Sequence, residues 1–195
     1  MNEINEKPLF VFRKKITYLL LAFLISFSCG KKEEQIPEKN PNKEFSWKSE
    51  LKITDIPDMP IKGYINGKEI SLNYINFEQW RGSRDNILNF GDTKPKNNCG
   101  YVESDNSIHL IRKADEIKPG EFLKSSFEQN LDGYIAYYDT LSVKDSDKKT
   151  SLQWNCALVI TEMNEKTVKG KIALCFRDDK KSWIAGTFEA VRCNN

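Results

Sequence analysis

Four runs near the C-terminus constrain the fold more than any other feature. They are Tyr134–Thr140, Leu152–Thr161, Val168–Phe176 and Ile184–Arg192. Polar stretches separate them at Lys144–Lys149, Met163–Lys166 and Asp178–Lys181. Leu152, Trp154, Cys156, Leu158 and Ile160 fall on one face of the second run. In the third, Ile172, Leu174 and Phe176 share a face opposite Lys169 and Lys171. Period-two alternation marks half-buried strands, and short polar connections make neighbours antiparallel.

The preceding half follows the same rhythm. Asn66-Gly67 joins Lys62–Ile65 to Glu69–Tyr74. Asn-Gly is a strong hairpin signal, because both central residues of a type I′ turn need positive φ. Ile75–Trp80 continues past a bulge, Arg81–Asp85 is a turn, and Asn86–Phe90, Gly100–Val102 and Ile108–Arg112 are further strands. Glu121–Gln129 reads as a short helix or an irregular loop. The prediction is an all-β domain over residues 47–195. It is an antiparallel sandwich or barrel of about eight to ten short strands with at most one short helix. Trp47, Leu51, Ile53 and Ile56 are placed to pack on its edge.

The N-terminus follows different rules. Arg13, Lys14 and Lys15 precede Ile16–Phe27, an apolar run of 12 residues, followed by Ser28-Cys29-Gly30. A run of that length fits the core of a cleavable signal and is too short for the roughly 20 residues of a spanning helix. Ser28-Cys29, preceded by Leu24 and Ile25, resembles the lipobox of bacterial lipoproteins, with Ser26 where that pattern usually has leucine. The resemblance implies cleavage before Cys29, lipidation of its thiol, and a place in the cell envelope, at the outer membrane and on its periplasmic or surface side. Acyl chains contribute about 0.8 kcal/mol per buried CH₂, so two or three of them anchor a protein without a spanning segment. The run Cys29–Glu34 is also similar to the surface-export signals of Bacteroidetes lipoproteins. Residues 29–46, charged and interrupted by Pro37 and Pro41, read as a flexible spacer.

Charge narrows the function. The net charge is +2, and residues 1–28 carry all of it, with Lys7, Arg13, Lys14 and Lys15 against Glu3 and Glu6. The neutral remainder gives no electrostatic reason to bind nucleic acid. Cys99, Cys156, Cys175 and Cys193 form an even set, which in an exported chain reads as two disulfides of unspecified pairing. Strand alternation puts Cys156 and Cys175 on opposite faces, against a direct bridge between them. Metal ligation is not expected, since His109 is the single histidine and no C-x-x-C spacing occurs. Asp145–Asp147 and Glu103–Asn106 lack EF-hand spacing and read as turns.

No catalytic residue is assigned. His109 reads as a polar residue between Ile108 and Leu110, without a nucleophile motif beside it. No phosphate loop or dinucleotide fingerprint appears, and no cofactor is expected. Trp80, Tyr134, Tyr137, Tyr138, Trp154 and Trp183 supply aromatic surface for a glycan or protein partner, or for packing. The leading expectation is a non-enzymatic, membrane-anchored binding or envelope-supporting domain. The alternatives are a lipocalin-like carrier of a small apolar ligand and a carboxylate-using hydrolase or isomerase.

Overall fold

The computed structural model describes residues 44–95, 97–101, 104–139 and 152–193. The signal-like segment, Cys29 and Asp145–Asp147 lie outside the described residues. The strands are β1 (Lys62–Ile65), β2 (Lys68–Ser71), β3 (Tyr74–Gln79), β4 (Asn86–Gly91) and β5 (Ile108–Arg112). They continue with β6 (Gly120–Lys124), β7 (Tyr134–Tyr138), β8 (Trp154–Met163), β9 (Thr167–Phe176) and β10 (Trp183–Cys193). All ten belong to one curled sheet, a half-barrel with the order β6-β8-β9-β10-β3-β4-β5-β7 and the β1–β2 hairpin paired to β10. The all-β class is as the alternation predicts. Asn66 and Gly67 have φ of 53° and 80°, the paired positive values that the hairpin requires.

Several expectations change. Glu121–Lys124, read as the start of a helix or loop, belong to edge strand β6 along β8. Gly100 and Tyr101 lie in a loop rather than a strand. The strand begun at Lys68 stops at Ser71, and a separate one starts at Tyr74. One pair is parallel: β10 lies against β3 through Val191–Cys193 and Asn76–Glu78, after pairing antiparallel with β1 through its first residues. A long crossover makes that parallel contact possible, and turn signals do not report it.

The concave side holds the main core. Leu88, Phe90, Leu110, Leu158, Ile172, Leu174 and Phe176 converge there from both halves of the sheet. Phe122 of β6 meets Tyr134 of β7 with ring centroids 4.3 Å apart, so side chains bring the two edges together.

A second apolar layer lies outside β8, β9 and β10. Ala157, Ala173 and Ala185 sit side by side in register, and these small side chains leave a shallow trough. The chain from Phe45 to Ile56 fills it as a strap. Leu51 is 1% exposed, and burial of such a side chain is worth about 1.5–3 kcal/mol. The Trp47 indole N–H donates to the Phe176 carbonyl at 2.7 Å, and the Asn155 amide donates to the carbonyls of Lys48 and Ser49. Trp47, Leu51, Ile53 and Ile56 therefore pack where the sequence places them, but over a sheet face. Phe45, assigned to the spacer, is buried against Trp183. Gly186 (φ 136°) lets the following stretch approach: a Cβ there would stand 2.6 Å from the Ile61 Cα and 2.7 Å from the Met59 carbonyl.

Candidate functional site

Polar side chains rarely enter a sheet interior unless they are mutually satisfied. On the face of β3, β4, β5 and β7 opposite the main core, Asn76, Asn89, His109 and Tyr137 stand side by side in register. His109 Nδ1 is 2.7 Å from Asn89 Oδ1, and its Nε2 is 3.2 Å from the Asp139 carboxylate. The Asn89 amide donates to Asn76 Oδ1 at 2.9 Å and to Glu78 Oε1 at 3.1 Å. The Tyr101 ring stacks on the imidazole at 4.1 Å, and its hydroxyl donates to Asp139. Burial, followed by bonding with Tyr137 and Asp139, holds that hydroxyl far above its usual pKa.

This network is a strut. His109 is fully buried, and both its ring nitrogens are engaged, by Asn89 and by Asp139, so neither is open to a substrate. A general base must reach the proton it removes. His109 is a polar strand residue between Ile108 and Leu110, as expected, but it is buried; Tyr101, Asn89 and Asp139, brought in by long-range pairing, cover it. The Asn76 amide donates to the Gly100 carbonyl, and the neighbouring Cys99 is bonded to Cys193 at the end of β10. The loop is thus fastened over the strut from two sides.

Of the four candidate cysteines, Cys99 and Cys193 form a disulfide. Cys156 and Cys175 are free, which corrects the expectation of two bridges. Cys156 is opposite Leu174, and Cys175 is opposite Asn155, so their side chains leave opposite faces of the sheet. Cys175 is buried although it shares a face with Lys169 and Lys171, because the strap covers that end of β9. Burial pushes the Cys175 thiol up to about 12 and the Cys156 thiol higher still, so neither is a ready nucleophile. No three His, Cys, Asp or Glu side chains among the described residues are grouped to hold a metal.

The accessible feature is a cavity of about 600 Å³ at one end of the half-barrel. It lies where β3, β8 and β10 end and β4 and β6 begin. Phe77, Ile117 and Met163 supply an apolar floor. Arg81, Arg84, Lys118 and Arg192 line it as well, against a single carboxylate, Glu116. Arg81 and Arg84 come from the β3–β4 turn, which is closed by Trp80 N–H to Asp85 and Arg84 N–H to Trp80 hydrogen bonds. Arg192 is held over the Phe77 ring at 6.0 Å and donates to the Asn164 carbonyl at 3.0 Å. Trp80, 38% exposed, is fixed in the wall by its indole N–H donating to Glu78. The strut therefore reaches from Asp139, through His109, Asn89 and Glu78, to the cavity wall.

Sequence reasoning took Arg81–Asp85 as a turn and missed the convergence. Four cations at turns and strand ends were the available signal, hidden by a body with no net charge. Of the aromatic residues considered for a partner, Tyr138 and Trp154 are in the core and Trp183 is under Phe45. Tyr134 packs beside that core, and Tyr137 stands over His109. Trp80 is at the cavity.

Fold and site together define a curled mixed-sheet β domain with a terminal cavity lined by cations. No protein-family model matches the chain, and no curated protein or solved structure matches it.

Proposed function

We propose that the chain is an exported, lipid-anchored, non-enzymatic binding domain whose ligand site is the cavity at the end of the half-barrel. The observation that carries this reading is the cavity itself. Its volume falls in the range of small-molecule sites, and its lining sets convergent charged and polar groups beside an apolar floor.

The remaining support is of two kinds. The basic, short-apolar, Ser28-Cys29 pattern favours lipid attachment, and a Cys99–Cys193 disulfide is at home in an oxidising compartment. No described helix is long and apolar enough to cross a membrane. Binding is favoured over catalysis because the histidine and the Glu78 and Asp139 carboxylates are buried in the strut. An apolar-ligand carrier would need an open apolar lumen, whereas Phe90, Leu110, Leu158 and Phe176 occupy the interior of the curl.

The test has two arms. Cys29→Ala should move the protein out of the membrane pellet, and unchanged pelleting would remove the anchor. Envelope-purified wild-type protein should carry a small molecule, detected by mass spectrometry of its solvent extract. Met163→Trp, which fills the cavity floor, should carry much less. Equal extracts from the two proteins, or none from either, would reject the cavity as the binding site.

A further inference from the structure

We infer that the cavity takes a small organic oxyanion, with a phosphate or carboxylate group on a compact apolar body. This rests on the reading of the cavity as a ligand site and adds the chemistry of the ligand.

Three observations carry it. First, the charge is local. Residues beyond the signal segment sum to zero, yet four cations and one carboxylate line this cavity. Like charges gathered around a concave space repel one another, and a bound anion relieves that repulsion. Second, the guanidinium groups are available. Among the described residues, Arg81 and Arg84 have no carboxylate partner, and Lys118 meets Glu116 only at 3.9 Å. Guanidinium groups present paired N–H donors that match carboxylate and phosphate oxygens. Third, the cations are set against an apolar floor. Arg192 lies over Phe77, so a ligand that reaches the guanidinium with its oxyanion has apolar surface beside it. An inorganic anion would leave that floor uncovered, and a neutral apolar molecule would leave the guanidiniums unpaired.

Isothermal titration of the purified full-length protein in a neutral maltoside detergent tests this with three related probes. They are 1-naphthyl phosphate, 1-naphthol and inorganic phosphate. 1-Naphthyl phosphate should bind at one site, at least tenfold tighter than either of the others. Arg81→Ala and Arg192→Ala should each weaken it by roughly tenfold. Arg177→Ala, at an exposed pair with Glu128 elsewhere, should leave it unchanged. Equal affinity for 1-naphthol would overturn the anion assignment while leaving a ligand site in place. Binding of none of the three would overturn both. Tight binding that survives the arginine substitutions would place the anion elsewhere and reject the proposal. A second titration, with phosphatidylglycerol in mixed micelles, separates the sources. Competition with 1-naphthyl phosphate identifies a lipid headgroup as an occupant, and its absence assigns the site to a free anion.

Discussion

Asp85 shows how a single side chain holds the cavity in shape. It follows the turn that carries Arg81 and Arg84, and it is almost fully buried. Its carboxylate accepts from Lys113 Nζ and from the Ala114 backbone N–H, both at 2.9 Å. Burial alone would raise its pKa. The bonds from Lys113, Ala114 and Ser83 outweigh burial and hold the carboxyl below the usual carboxylate range. The exposed Lys113 contributes little as an ion pair. The largest lowering contribution is the Lys113 hydrogen bond, followed by the Ala114 backbone donor. A depressed folded-state pKa means stability that is complete above the unfolded value of about 3.9 and is lost as pH falls through the folded one. Asp85→Asn should therefore cost about 1–3 kcal/mol at pH 7 by urea denaturation. The gap between wild type and variant should narrow below about pH 4. A gap of the same size at pH 7 and pH 2.5 would show that the charge is not the stabilising feature.

At the scale of elements, the strap over β8, β9 and β10 is a separable contribution. Three alanines in register make the trough, and Leu51 is the largest fully buried side chain placed in it. Leu51→Ala should destabilise the domain by about 2–5 kcal/mol, the usual range for a buried leucine. The measurement is a chemical denaturation midpoint, and a loss under 1 kcal/mol would mean that the trough collapses around the gap. The sequence makes half of this visible. Period two places Ala157 and Ala173 away from Leu158 and Leu174, and the apolar spacing of Trp47, Leu51, Ile53 and Ile56 marks a segment that packs. It does not show that the two meet, because the contact spans about a hundred residues and leaves no local signature. The same limit applies to β6, whose Phe122, Leu123 and Phe127 fit a helical face until pairing with β8 decides the matter. Asn66-Gly67 was legible because its constraint is local, two adjacent positive φ angles. The strut was not, because His109 meets Asn89 and Asp139 only through strand register.

At the scale of the molecule, curling a sheet into a half-barrel divides it into regions with different tasks. The concave interior supplies packing, and the alanine trough receives the strap. The opposite face near β3 to β7 holds the strut, and one end of the curl holds the cavity. The parallel contact of β10 with β3 brings Arg192 beside Phe77, and the disulfide fastens the Cys99–Tyr101 loop over the strut on the opposite face. The closed ring formed by that bridge is long, with a sequence separation of 94. Chain-entropy reasoning gives such a ring up to about 4–5 kcal/mol of stabilisation. On this account the disulfide both stabilises the domain and keeps the cavity wall, which Cys193 helps to line, in place.

The most direct measurement is a backbone amide NMR titration of the full-length protein in maltoside with 1-naphthyl phosphate. The account predicts saturable shifts confined to the Arg81–Asp85 turn, Asn86 at the start of β4, Ile117–Lys118 and Arg192. Shifts centred on the strap from Phe45 to Ile56, or no saturable shifts at all, would contradict it.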